Sequence, residues 1–346
     1  MKEIYYVERN NFYFNKKVKR KCDIDEVEIE PLTLGLCGSD LNKFLKQSPN
    51  KDYLLTHVLG HEISGKVTNI GDNVTNIKIG DIVVVNPFNI PDTLKLCESF
   101  SLCDEEIDIV GRNIDGGYSE LIYLPKKCVY KLSSSISTEE AIFIDDIAVA
   151  YHGIHYIKEY KSVFNDVAVI GDGPLGILCY RVLKVLYPQI NVILFARNQE
   201  KIKNLNINFE NYDRINLYKN KFDVVLEAVG GQQSDTLNKS ILIGKNNCII
   251  LCYGVYNFNY MAELDIRTLF YKQGMLKGIN SYCNKNKDFE NAISLLSSKK
   301  LLVSDLITNR INFDDSVEFI KNYASIKNNI KTIFEVNRKW KHFLLI

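Results

Sequence analysis

Asp166-Val-Ala-Val-Ile-Gly-Asp-Gly-Pro-Leu-Gly176 is the stretch of sequence that decides the fold. Its first half, Asp166–Ile170, is a short continuous apolar run of the kind that a parallel strand buried on both faces requires. Gly171 permits a tight turn, Gly173 lets backbone approach a pyrophosphate, and Gly176 lets the following helix pack close to the strand. This strand–turn–helix context predicts a dinucleotide-binding turn, with a glycine turn that serves packing alone as the alternative.

Further strand patterns follow this turn and alternate with helical stretches. We predict them at Val192–Phe195, Phe222–Leu226, Cys248–Leu251 and Leu276–Ile279. Such alternation is typical of a doubly wound parallel sheet, so the middle of the chain is predicted to be an α/β nucleotide-binding domain.

The end of the second strand selects between NAD and NADP, because an acidic side chain about 20 residues beyond the glycine turn holds the ribose 2′-hydroxyl of NAD. Phe195-Ala-Arg-Asn198 stands there instead. Arg197 can pair a 2′-phosphate through two N–H groups, which favours NADP(H), with an exposed surface charge as the alternative. The predicted cofactor-binding residues are Gly171, Gly173, Leu175, Gly176 and Arg197.

The chain before residue 146 has a different pattern, with short apolar strands broken by Gly, Asn and Asp. Val27–Leu36 and Ile63–Ile70 are the clearest of these strands and indicate a β-rich, barrel-like domain. A last strand at Lys331–Val336 is assigned to the same domain, because the nucleotide-binding sheet already has its strands. The predicted domains are 1–150 with 286–346, and 151–285.

Leu34-Gly-Leu-Cys-Gly-Ser-Asp40 and His57-Val-Leu-Gly-His-Glu62 are the two stretches that carry candidate chemistry. Cys37, His61 and Glu62 offer the sulfur, nitrogen and oxygen donors that zinc accepts, and three protein ligands leave one position open. Cys37 alone would be interpreted as a core residue, and His61 alone as a satisfied loop histidine. Together they predict one catalytic zinc site.

Composition bears on the possible partners and compartment. The 346 residues carry 43 Lys and Arg against 42 Asp and Glu, so no basic surface field favours nucleic acid. The N-terminus shows no apolar signal core, and no run approaches the roughly 18 apolar residues of a membrane helix. Nine cysteines without regular spacing fit reduced thiols. We expect a cytoplasmic protein with neither nucleic-acid nor membrane partners.

The motifs occur in the order Cys-Gly-Ser-Asp, Gly-His-Glu, Gly-Asp-Ile-Val, Gly-Gly-Tyr-Ser-Glu and Gly-x-Gly-x-x-Gly. In this order the chain resembles the zinc-dependent medium-chain dehydrogenases, the alcohol and polyol dehydrogenase family, over nearly its whole length. The resemblance implies a GroES-like catalytic domain, formed by the N-terminal segment and the C-terminal tail, with a Rossmann domain between them. It also implies a homodimer or homotetramer.

Positions matched to the family imply roles for single residues. Cys37 and His61 are similar to the zinc ligands, and Glu62 to the neighbour that binds or exchanges on the metal. Asp145 falls at the place of a later ligand, beside Asp146, where a proline is common, so the choice between the two aspartates stays open.

Other positions follow or depart from the family pattern. Ser39 matches the hydroxyl that starts the proton relay, whereas Asn42 replaces a histidine that some members use to pass the proton onward. The family's structural zinc lobe needs four closely spaced cysteines. Only Cys97 and Cys103 lie in that stretch, so no second zinc is expected.

Within the family, the Gly-Asp-Gly-Pro-Leu-Gly and Glu-Ala-Val-Gly-Gly motifs and the missing lobe are most similar to the ribulose-5-phosphate reductases, which implies NADPH-dependent formation of ribitol 5-phosphate. One alternative is a polyol or alcohol dehydrogenase with an unphosphorylated substrate. A more remote one is a non-zinc nucleotide-binding protein similar to quinone reductases, which would not need the Cys37, His61 and Glu62 set. Lys43 and Arg112 could meet a substrate phosphate, although solvated charges are the favoured interpretation.

Overall fold

The computed structural model describes residues 1–45, 56–90, 107–231, 233–257, 260–282 and 287–336. The chain divides into two compact units, Met1–Asp145 with Val303–Ile346, and Asp146–Leu302. These boundaries differ from the predicted ones at 150 and 286, since the helix Asp288–Ser297 lies in the second unit. His152 Nδ1 lies 2.7 Å from Asp288 Oδ2, and both side chains are buried, which fixes the start of that helix within its unit.

A seven-stranded sheet forms the centre of the first unit. Along the sheet the strands are Ile307–Asn312, Lys331–Glu335, Glu26–Leu36, Ile63–Ile70, Ile82–Val85 and Val129–Lys131, and Ile122–Pro125 also pairs with Glu26–Leu36. Only the first two of these strands pair in parallel; the other pairs are antiparallel. The register of the central strand shifts near Pro31, and such a bulge admits a proline inside a sheet.

Shorter elements complete the first unit. Lys2–Glu8 pairs with Asn11–Lys16, and Phe88–Asn89 with Asp108–Ile109; the helices are Gly38–Leu45, Thr138–Ala141 and Ser316–Lys321; short 3-10 turns are Lys126–Cys128, Ser304–Leu306, Phe313–Asp315 and Tyr323–Ser325. Buried Phe334 belongs to the same apolar cluster as Val27 and Leu34. The strand Lys331–Glu335 therefore contributes to the first unit's core.

The second unit contains a six-stranded, all-parallel sheet. In spatial order its strands are Phe209–Asn211, Asn191–Ala196, Asp166–Ile170, Phe222–Glu227, Gly244–Cys252 and Met275–Gly278. Strands are added outward on one side of Asp166–Ile170 and then on the other, so the strand order reverses beside Phe222–Glu227. This is the doubly wound Rossmann arrangement, which confirms the predicted α/β class.

The helices of this part of the chain precede, connect and follow the strands of the parallel sheet. They are Ile144–Tyr160, Pro174–Leu186, Asp235–Ile243, Ile266–Tyr271 and Asp288–Ser297, with 3-10 turns at Gln199–Lys201 and Tyr212–Tyr218. Within the described ranges of the whole chain, every helix is too short or too polar to cross a bilayer.

Candidate active site

Cys37, His61 and Glu62 come together at the end of two paired strands. Their ligand atoms all lie within 4.8 Å of one another. Leu34 is paired with Ile63 in the antiparallel ladder, so Cys37, after one strand, lies close to the two residues that precede the other. The sulfur, nitrogen and oxygen donors fit the preferences of zinc, and the set has the size of a catalytic rather than a structural site.

Glycine at position 35 makes this approach possible. Gly35 N–H donates to the Glu62 carbonyl at 2.9 Å, and a Cβ on Gly35 would overlap the Glu62 carboxylate. Gly60, which precedes His61, has a φ of 95°, and a Cβ there would meet the ring of Tyr118 at 3.0 Å. A larger residue at position 35 would displace the Glu62 carboxylate, and one at position 60 would need a strained backbone and a shift of the Tyr118 ring.

The carboxylate of Asp40 lies beside Nδ1 of the His61 ring. Its fully buried Oδ1 lies 3.6 Å from His61 Nδ1, while Oδ2 accepts a hydrogen bond of 2.9 Å from the Tyr118 hydroxyl. A carboxylate at Nδ1 keeps the proton on that nitrogen and leaves Nε2 for a metal. The sequence motif contains Asp40, but its contact with His61 could not be read from the motif.

The surroundings of His61 and Tyr118 raise the pKa of both side chains. Burial lowers the pKa of His61, but the combined effects of Asp40 and Cys37 outweigh burial and raise that pKa well above its ordinary value. Burial, and then the charge of Asp40, raise the pKa of Tyr118 well above its ordinary value. The phenol therefore stays protonated and acts as the donor to Asp40.

Lys331 supplies the positive charge that accompanies buried Glu62. Its ammonium lies 2.5 Å from Glu62 Oε1, and both side chains are almost fully buried. Lys331 begins the strand that pairs with the end of Glu26–Leu36, where Thr332 is opposite Leu36. Sequence analysis missed this residue. A lysine at the first position of the predicted final strand was the available signal.

The remaining predicted residues of the first unit stand as follows. Ser39 and Asn42 are exposed on the helix Gly38–Leu45. Lys43 Nζ donates to the carbonyl of Gly111 at 3.2 Å. Asp145, like Asp146, is half-buried and is not part of the donor group that the described residues form. Its role as a ligand stays a prediction, and Cys97 and Cys103 lie outside the described residues.

The glycine turn of the second unit has the shape expected of a phosphate-binding turn. Gly171 has a φ of 128°, and a Cβ on Gly176 would overlap the Gly171 carbonyl. A Cβ on Gly173 would meet no atom within 4 Å, so there is room beside the turn. The helix Pro174–Leu186 has no side-chain cap, which leaves the N–H groups of its first turn, beginning with Leu175, for an anion.

The turn that follows the second strand carries charges of both signs. Arg197 is exposed, and its guanidinium lies 5.6 Å from the centre of the Tyr212 ring. Tyr212 in turn donates to Asp235 Oδ2 at 2.5 Å. Asp172, from the glycine turn, accepts the backbone N–H of Asn198 at 2.7 Å. Sequence analysis found no acid at the end of the second strand, and Asp172 reaches this turn from another segment.

Known proteins are similar to both the β-rich unit that holds the donor group and the Rossmann unit. Residues 23–134 match the family described as alcohol dehydrogenase GroES-like domain. The chain is 28% identical over 344 residues to D-xylulose reductase of Saccharomyces cerevisiae, covering 93% of each protein. It is 27% identical over 322 residues to galactitol 1-phosphate 5-dehydrogenase of Escherichia coli K12, covering 87% of this chain and 89% of the relative.

Solved structures agree with this fold. The structure superposes on galactitol-1-phosphate dehydrogenase from Escherichia coli with a TM-score of 0.82 at 23% identity, covering 97% of this chain and 100% of the other. 2R,3R-butanediol dehydrogenase from Bacillus subtilis gives the same TM-score and identity, covering 96% and 99%. The GroES-like and Rossmann-like folds are thereby confirmed.

Proposed function

We propose that this enzyme reduces the ketone of a sugar phosphate with NADPH at a single zinc site, and that ribulose 5-phosphate is the first substrate to test. The reaction consumes NADPH, one proton and the ketone, and yields NADP⁺ and the pentitol phosphate. The convergence of Cys37, His61 and Glu62 within 4.8 Å is the observation that carries this proposal. A nucleotide-binding protein without zinc chemistry would have no use for it.

In the proposal, Cys37 and His61 hold the zinc, with carboxylate help from Glu62 or Asp145. Bound zinc supplies Lewis-acid polarisation of a carbonyl, and the nicotinamide supplies the hydride. Asp40 fixes the tautomer and orientation of His61. Ser39, exposed at the start of its helix, gives a proton to the substrate oxygen during reduction and takes it back in the reverse reaction.

The NADP(H) preference in the proposal rests on the end of the second strand. Buried Ala196 stands where an NAD-binding enzyme would carry an acid, and exposed Arg197 follows it. The pyrophosphate would be held by Gly171, Gly173 and the first N–H groups of the helix, including those of Leu175 and Gly176.

Phosphorylated and free sugars compete as substrate classes. One relative is named for a polyol phosphate, galactitol 1-phosphate, and another for a free pentulose, D-xylulose. The second therefore supports the alternative of an unphosphorylated substrate. A phosphate remote from the ketone would add binding energy that raises turnover as well as affinity.

The test follows NADPH oxidation by the purified enzyme with ribulose 5-phosphate, ribulose and xylulose, and NADP⁺ reduction with sorbitol and short alcohols. We expect the highest kcat/KM with ribulose 5-phosphate. A higher value with a free sugar or polyol would establish the alternative substrate class. An enzyme that lacks zinc by elemental analysis but is fully active would contradict the zinc proposal.

Assembly and location complete the proposal. Among the described residues between 255 and 271, five apolar side chains are exposed: Val255, Met261, Ile266, Phe270 and Tyr271. The next strand, Met275–Gly278, forms the edge of its sheet. Apolar exposure beside an open edge supports a homodimer or homotetramer. The six described cysteines are free thiols, which supports a cytoplasmic location.

A further inference from the structure

Asp172 joins the glycine turn to the turn that carries Arg197. Its Oδ2 accepts the Asn198 N–H at 2.7 Å, and its Oδ1 lies 3.8 Å from Lys201 Nζ. The side chains of Asp172 and Lys201 are 17% and 22% exposed, so the contact is largely shielded from water. The carboxylate is thus directed at a backbone donor and a cation within the protein.

The sheet register makes this contact possible. Ile170 is paired with Phe195, and the Gly171 N–H donates to the Phe195 carbonyl at 3.1 Å. Asp172 and Arg197 each lie two residues beyond this pair, so they reach the same edge of the sheet. Asp172 is the first carboxylate after the strand Asp166–Ile170. It is therefore well placed to hold the turn that follows the neighbouring strand.

Asp172 holds this turn at its first residue, where the turn's own Lys201 N–H donates to the Asn198 carbonyl at 3.3 Å. Asn198 begins the 3-10 turn Gln199–Lys201, but its side chain does not cap that turn. Arg197, one residue earlier, is exposed and contacts the face of Tyr212 at 5.6 Å. The Asp172 hydrogen bond fixes the backbone next to Arg197, and an arginine must be held in place to form two hydrogen bonds with one phosphate.

We propose that Asp172 is a positioning residue for a nucleotide 2′-phosphate: by accepting the Asn198 N–H it fixes the turn from which Arg197 and Lys201 face the ligand. This inference rests on the proposed NADP(H) preference. It also explains how an acid can stand near the site without selecting for NAD, because its carboxylate is engaged by the turn.

The proposal predicts that removing Asp172 weakens binding of a 2′-phosphate, whereas charge repulsion alone predicts that it strengthens binding. A carboxylate near a phosphate repels it, so loss of that charge alone would strengthen binding of a 2′-phosphate. Loss of the hydrogen bond would instead free the turn and weaken binding. The direction of the change therefore separates a positioning role from a charge effect.

The experiment measures binding of 2′,5′-ADP and of 5′-AMP to the full-length enzyme by titration calorimetry, without nicotinamide turnover. The 2′,5′-ADP preference is the ratio of the two Kd values. We expect Asp172→Ala to lower this preference about tenfold, in the range of one hydrogen bond to a charged group. Asp172→Asn keeps an acceptor oxygen and should keep the preference.

Glu200→Ala is the matched control, because Glu200 is an exposed acid of the same turn that pairs with Lys203. It should leave the preference unchanged or slightly raised. Thermal unfolding of each variant checks that the second unit remains folded. Arg197→Ala provides the reference for a lost phosphate contact.

The outcomes separate the two proposals. If the unaltered enzyme binds 5′-AMP as tightly as 2′,5′-ADP, the NADP(H) proposal fails and this inference fails with it. If the unaltered enzyme prefers 2′,5′-ADP but Asp172→Ala keeps or increases the preference, only the positioning role is wrong. Equal losses in Asp172→Ala and Asp172→Asn would also overturn it, because the acceptor would then not be the cause.

Discussion

Single residues decide how the donor group meets a metal, and Asp40 is the first of these. A carboxylate behind a histidine ligand raises its basicity and fixes its ring, and its loss commonly lowers metal affinity about 10- to 100-fold. We expect Asp40→Asn to lower the zinc affinity by that factor, as measured by competition with a chelator. Asn42→Ala, an exposed position on the same helix, is the control and should bind zinc normally. Unchanged zinc affinity in Asp40→Asn would exclude this role.

The buried pair of Lys331 and Glu62 gives a prediction on stability. Removal of one partner leaves an uncompensated buried charge, which typically costs about 3–5 kcal/mol. We expect Lys331→Met to lower the free energy of unfolding by this amount in urea denaturation. The double variant Lys331→Met with Glu62→Gln removes both charges and should recover much of the loss. A double variant as unstable as the single one would show that packing, not charge, is responsible.

Residue chemistry was predictable where the motif itself contains the donors. Cys37, His61 and Glu62 were inferred from donor type, and the structure brings them together. Lys331 was not inferred, because it lies 269 positions from Glu62 and meets it only through strand pairing. Asp172 was missed for a similar reason, since its partner belongs to the next strand's turn. Such contacts depend on register, which a single sequence does not give.

At the scale of elements, the buried side chain of Lys272 caps the C-terminal end of the helix Asp235–Ile243. Lys272 Nζ donates to the carbonyls of Ile241, Leu242 and Gly244 at 2.6, 2.9 and 2.6 Å. These carbonyls have no partner inside the helix, and a cation there also suits the helix dipole. Burial lowers the pKa of Lys272 from its ordinary value, so the contact has a desolvation cost.

Removal of this cap should destabilise the second unit. We expect Lys272→Met to cost about 3 kcal/mol, because several carbonyls lose a charged donor while the side chain keeps its length. The loss would appear as a lower midpoint in thermal unfolding. Lys239→Met, on the same helix with its ammonium on Asn216 Oδ1, is the control and should change the midpoint little. Equal midpoints for the two variants would contradict the cap.

Elements with strong apolar patterns were predicted well. Asp166–Ile170 and Ile63–Ile70 have the predicted bounds. Ile307–Asn312 and Phe209–Asn211 were not predicted. Both are edge strands, and an edge strand keeps polar side chains on the exposed side, so its pattern is weak.

At the scale of the whole chain, the first unit is assembled from both ends of the sequence. Phe334 lies in the same core as Leu34, and Lys331 pairs with Glu62. The charge balance of the donor group is therefore incomplete until the last strand has been made. The second unit, by contrast, is continuous in sequence.

The exposed apolar side chains between residues 255 and 271 lead to a prediction on assembly. Met261, Phe270 and Tyr271 are 88%, 74% and 68% exposed, and such side chains close to an open sheet edge favour association. A second copy of the chain is the partner we propose, because closed symmetric homo-oligomers are the commonest assemblies of soluble proteins. Light scattering after size-exclusion chromatography should give at least twice the mass of one chain.

A charge in this surface should separate the copies. Phe270→Glu with Met261→Glu would place unpaired carboxylates in an apolar interface, where burial is costly, and should yield a monomer. Leu217→Glu is the control, because Leu217 is equally exposed, at 72%, but belongs to the 3-10 turn Tyr212–Tyr218. It should leave the assembly intact. A monomeric unaltered enzyme at all concentrations, or an intact oligomer in the double variant, would place the interface elsewhere or exclude it.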